Sequence, residues 1–80
     1  MTMILQNADL HINLLRLRKA SGLSQYDLVA QMQLLGSTIS RSTYAKIELG
    51  DRNVKVTDLV ALQKIYSVDF SEFFEGIGTC

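Results

Sequence analysis

Arg41, Ser42, Ala45 and Lys46 fall on one side of a short predicted helix, and their types suit contact with the edges of nucleic-acid bases. In the stretch "TISRSTYAKIELG", residues 38–50, a helix from about Ser40 to Leu49 turns Tyr44 and Ile47 inward, with Glu48 beside them. The opposite side holds Ser42, Ala45, Lys46 and Leu49, with Arg41 near the first turn. An α-helix fits the major groove of duplex DNA. There arginine pairs with guanine, serine and threonine bond several base edges, and an alanine methyl packs on the methyl of thymine. The plain alternative is a solvated helix side that contacts nothing.

Two other places complement this face. A helix opening at "SQ", residues 24–25, directs backbone N–H groups and the Gln25 side chain at one spot, an arrangement suited to a phosphate. Just beyond the helix over 40–49, "GDRNVK" supplies Arg52, Asn53 and Lys55, suited to flanking phosphates. Ordinary helix propensity and loop solvation are the bland readings of these residues.

Catalytic and metal chemistry find little support. His11 and Cys80 are the only residues of their kinds and no motif joins them, so neither a nucleophile–base pair nor a tetrahedral metal set is expected. The bland expectation is a surface histidine on the first helix and an exposed terminal thiol. No glycine-rich phosphate loop appears, and the carboxylates sit at caps and turns. The sequence therefore predicts no enzyme, no metal and no cofactor. The chain is 80 residues long and 48% apolar, and no apolar run approaches a membrane span. Without a basic start and long apolar stretch typical of a secretion signal, a cytoplasmic location is expected.

Net charge is zero but unevenly spread. Residues 16–55 hold seven basic side chains against three acidic, a net +4, whereas residues 56–80 hold Lys64 against four carboxylates, a net −3. A basic first half and an acidic tail suit a domain that presents one end to a polyanion.

The elements that must position these residues read as five helices and no strand, a compact all-α five-helix bundle. Helix 1, roughly 10–20, carries Leu10, Leu14 and Leu17 and stops at Ser21-Gly22. Helix 2 starts at a Ser24 cap answered by Asp27, carries Leu28, Met32 and Leu35, and stops at Gly36. Helix 3 is capped by Ser40 and ended by Gly50. Helix 4 begins at a Thr57 cap with Leu59, Leu62, Ile65 and Tyr66. Helix 5 starts at an Asp69–Glu72 box and carries Phe70, Phe73, Phe74 and Ile77. Not all four of these apolar residues fit inside so small a domain, so they form a candidate dimer patch. The expected layout is an N-terminal arm over 1–9, the domain over 10–75 and a tail over 76–80.

The segments "LRKASGLSQYDLV", "ISRSTYAKIELGDRN" and "DLVALQKIYSVDFSEFF", in this order and spacing, resemble the Cro and phage-repressor-like helix-turn-helix family of bacterial regulators. The resemblance covers about residues 12–75. It implies double-stranded DNA as partner, the third helix in the major groove, and a homodimer on a palindromic operator whose half-sites lie about one turn apart. Position by position, it implies base contacts from Arg41, Ser42, Lys46 and Ala45. Gln25, Thr43, Arg52, Asn53 and Lys55 are the expected phosphate contacts. Arg18 and Glu48 match a pair that forms an internal salt bridge in the family.

Two departures stand out. Val29 occupies a position where the family usually has a small alanine, which would push the crossing helix outward. Between Met32 and Ile39 a typical member has one glycine, whereas this chain has the six residues "QLLGST". The expected result is one more turn on helix 2, ending at Leu35-Gly36, then a wider loop through Thr38, with Leu34 and Leu35 covered by the start of helix 3. The altered turn and zero net charge also leave open a protein-interaction or antitoxin-like module of the same fold with weak or no DNA binding.

Overall fold

Leucines at positions 10, 14 and 17 recur at helical spacing, and in the computed structural model, which describes residues 3–4 and 10–76, they line the buried face of α1 (Leu10–Ser21). Three further α-helices follow: α2 (Gln25–Leu34), α3 (Arg41–Glu48) and α4 (Val56–Tyr66). A 3-10 helix, Phe70–Phe74, closes the described chain. The fold is all-α in class, with one small addition. Strand β1 (Met3–Ile4) pairs antiparallel with β2 (Val54–Lys55), Met3 opposite Lys55 and Ile4 opposite Val54.

The core is a single cluster. Leu14, Leu28, Met32, Tyr44, Leu62 and Phe73 are its most enclosed members, one or more from each helix. Burying a side chain of this size in full contributes roughly 1.5–3 kcal/mol, so a few such residues decide whether an 80-residue chain folds.

Local signals set the helix ends. The Ser24 hydroxyl accepts from the Asp27 N–H at 3.0 Å, and Ser40 accepts from Thr43 N–H at 3.2 Å. Past α2, Gly36 N–H bonds Gln33 C=O and Ser37 N–H bonds Met32 C=O, with Gly36 at φ +101°. This paired closure satisfies carbonyls that the helix leaves open. Past α3, Gly50 does the same at φ +84°, and a Cβ there would meet the His11 ring at 3.1 Å. His11 is accordingly half-buried rather than a surface residue.

The last two helices differ from expectation. α4 begins at Val56, with Lys55 as N-cap and no side-chain cap bond, so Thr57 lies inside the helix instead of capping it. The fifth segment is a short 3-10 helix, and Asp69 makes no side-chain cap bond. The cause is α1. Asn13 Nδ2 donates to the carbonyls of Phe73 and Glu75, both at 3.0 Å, and Arg16 donates to that of Glu72 at 3.2 Å. Carbonyls already satisfied from outside gain nothing from a longer helix. This packing also revises the candidate dimer patch. Phe73 is fully enclosed, Phe70 and Phe74 remain exposed, and Ile77 lies outside the described residues.

The long turn is braced rather than slack. α2 ends at Leu34 and residues 35–40 lead into α3. Gln33 Nε2 donates to Ile39 C=O at 2.9 Å, and Ser37 Oγ accepts from Ile39 N–H at 3.1 Å. The Ser37 hydroxyl donates to the buried Asp58 carboxylate at 2.7 Å, tying the turn to α4. Removing that hydroxyl leaves a buried acceptor short of a donor. Ser37→Ala should therefore cost about 1–2 kcal/mol of stability in urea unfolding.

Candidate nucleic-acid interface

Helix α3 is held by one side and offers the other. Tyr44, Ile47 and Glu48 are buried, while Arg41, Ser42 and Lys46 are exposed and Ala45 is half-buried. Leu49, at the C-cap, continues the outward face at 71% exposure.

The inward side is fixed by a charged anchor. Arg18 on α1 grips Glu48 with two bonds, Nε to Oε2 at 2.7 Å and Nη2 to Oε1 at 2.9 Å. Its remaining nitrogen, Nη1, donates to Leu23 C=O at 2.9 Å, which ties the turn between α1 and α2 to the same point. Gln25 Nε2 adds a third donor to Glu48, at 3.0 Å. Burial raises the Glu48 carboxyl, but the bonds from Arg18 and Gln25 outweigh it, and the group ends below the usual carboxylate range. The bond to Glu48 in turn raises Arg18 above its ordinary value. Tyr44 and Tyr66 bury their hydroxyls near this carboxylate without a hydrogen-bond partner among the described residues. Burial and the neighbouring Tyr66 and Glu48 push Tyr44 far above its ordinary value, and burial pushes Tyr66 up to about 12.

The expected phosphate contacts do not all converge. Gln25 does not point its amide nitrogen outward, since the buried Glu48 carboxylate claims it. Thr43, Arg52 and Lys55 instead converge with Thr38 and Ser40 around a hollow of about 190 Å³ at the start of α3. The Thr43 hydroxyl accepts a bond from Ser40 Oγ at 3.0 Å, so it is placed by the cap. Asn53 is half-buried and does not line this hollow. Asp58 borders it, with one carboxylate oxygen taken by Ser37.

A second hollow, about 180 Å³, lies between α2 and α3 and is lined by Tyr26, Val29, Ala30, Gln33 and Arg41. Val29 is buried in its floor, and Tyr26 is 67% exposed beside Arg41. Sequence reasoning passed over Tyr26. The available signal was its position two residues before Leu28, which turns it off the buried stripe of α2.

The geometry is that of two crossing helices joined by a braced turn, the second anchored inward by an ion pair. A family model for the helix-turn-helix matches residues 14–73. This chain belongs to the Cro and phage-repressor type of helix-turn-helix family. Searches of curated proteins and of solved structures each gave no match. As a helix-turn-helix of this type, the chain is a module for double-stranded DNA, and α2 and α3 are its two motif helices. Among the described residues, no group of three or more His, Cys, Asp or Glu could hold a metal, and no helix is long and apolar enough to cross a membrane.

Proposed function

We propose that this protein is a sequence-specific transcriptional regulator, a repressor, acting in the cytoplasm as a homodimer on a palindromic operator. α3 enters the major groove, where Arg41, Ser42 and Lys46 read base edges and Ala45 packs against a thymine methyl. Thr43, Arg52 and Lys55 hold the flanking backbone around the hollow at the start of α3, with Asn53 supporting their loop. Exposed Phe70 and Phe74 form the two-fold contact, at the acidic end that DNA repels. Repression would act by occupancy, since a domain seated across an operator excludes other proteins from it.

The observation that carries this reading is the split of α3. Its inward residues are tethered by Arg18, and its outward residues are the basic and hydroxylated ones. Selection from a random duplex pool tests it, with a two-fold symmetric consensus as the expected result. Failure to enrich any sequence, with affinity indifferent to salt, would support an interaction or antitoxin-like module instead. The exposed Leu34 and Leu35 are the observation that keeps that second reading in view.

Arg52 and Arg41 are expected to behave differently. Arg52→Ala should weaken specific and random duplexes alike. It should also flatten the plot of log K against log salt by about 0.9, because one phosphate fewer is neutralised. Binding isotherms at four salt concentrations read both effects.

A further inference from the structure

Leu34 and Leu35 do not find the cover expected of them. They are 87% and 52% exposed, and they face α4 instead of the start of α3. Leu35 is the C-cap residue of α2, where the helical stripe that carries Leu28 and Met32 has ended. With α4 they border three hollows, two of which share Leu35 and Lys64. One, of about 370 Å³, is lined by Leu34, Leu35, Lys64 and Ile65 together with Gln31. The other, of about 210 Å³, is lined chiefly by Leu35, Val56, Val60 and Lys64. Val56, Val60 and Lys64 are four apart on α4 and form one stripe about 12 Å long.

Lys64 is the one charged side chain lining both hollows, and it forms no ion pair among the described residues. It is also the single basic residue in the otherwise acidic stretch 56–80. We infer that this groove docks another protein, through an amphipathic helix that lays apolar side chains along α4 and sets a carboxylate against Lys64. Two turns of helix match the length of the stripe, and helix-in-groove recognition uses apolar anchors three and four apart. The charge selects the partner. A second copy docking by the same face would bring Lys64 and its apolar surround against a like set. The chain's own acidic segment is already engaged, because Glu72 and Glu75 lie 3.8 and 3.5 Å from Arg16. A nucleic acid is excluded by the valine and leucine floor. The inference stands apart from DNA reading, since none of these groove residues belongs to the proposed DNA contacts.

The test uses the full chain and an 18-residue probe peptide with leucines on one face and glutamates flanking them. A control peptide carries lysines in place of the glutamates. The glutamate form should bind about 5-fold or more tightly than the lysine form. It should shift the backbone amide resonances of Leu34, Leu35, Val60 and Ile65. Leu34→Ser should abolish binding with the thermal transition unchanged, because the side chain is 87% exposed. Lys64→Glu should reverse the preference between the two peptides. Equal binding of both forms, or shifts confined to other residues, would overturn the proposal. So would concentration-dependent shifts at these amides without peptide, which would assign the groove to a second copy.

Discussion

Glu48→Ala should lower the unfolding free energy by about 3–5 kcal/mol, the usual cost of removing one partner from a buried ion pair. Three donors converge on that carboxylate, two from Arg18 and one from Gln25. The Arg18 side chain is only 13% exposed, so it would be left charged and poorly solvated. Small domains hold about 5–15 kcal/mol in total, and a loss of this size takes much of it. Chemical unfolding followed by circular dichroism gives the number directly. The same anchor carries a pH dependence. Glu48 titrates below the usual carboxylate range in the folded state, so its contribution is complete above the unfolded value of about 4.3. It is lost as pH falls through the depressed folded value. The wild type should therefore lose stability on the acid side, and Glu48→Gln should flatten that part of the profile. An acid limb of equal steepness in both proteins would remove Glu48 as its source.

The second large effect concerns recognition. Arg41→Ala should weaken binding to the selected operator by about 1–3 kcal/mol, roughly 5- to 150-fold, and relax preference at one base position. Arg41 leads the first turn of α3, is exposed, and borders the hollow shared with Tyr26. Its removal leaves the core untouched, so the thermal transition should not move. Comparing the operator with a random duplex separates base reading from phosphate attraction. If Arg41→Ala weakens both duplexes equally, Arg41 belongs with Arg52 among the proposed backbone contacts.

Much of the frame was legible because its signals are local. Ser24 and Ser40 cap the helices they precede, and Gly36 and Gly50 close the helices they follow, each within a few residues of the bonds they make. Tyr44 and Ile47 could be assigned inward from spacing alone. What escaped depends on partners distant in sequence. The carbonyls at the end of Phe70–Phe74 are held by Asn13 and Arg16, sixty residues earlier or nearly so. The inward turn of the Gln25 amide depends on a carboxylate 23 residues away. Leu35 shares the period of Leu28 and Met32, yet the helix stops before that period can deliver it to the core. Thr57 has the chemistry of a cap, but α4 starts at Val56, directly after the Val54–Lys55 pairing with Met3–Ile4.

The brace from Ser37 to Asp58 has an evolutionary consequence. In a bare turn, each inserted residue would rotate and displace the helix that follows. Here the approach to α3 is registered on α4, and Gln33 and Ser37 grip Ile39 from the near side. Residues 34–36 are thereby decoupled from the bearing of α3. The side chains at 34 and 35 can drift while α3 keeps its aim and Gly36 keeps its left-handed turn. A lineage carrying this brace is free to remodel one surface of the domain without renegotiating the other.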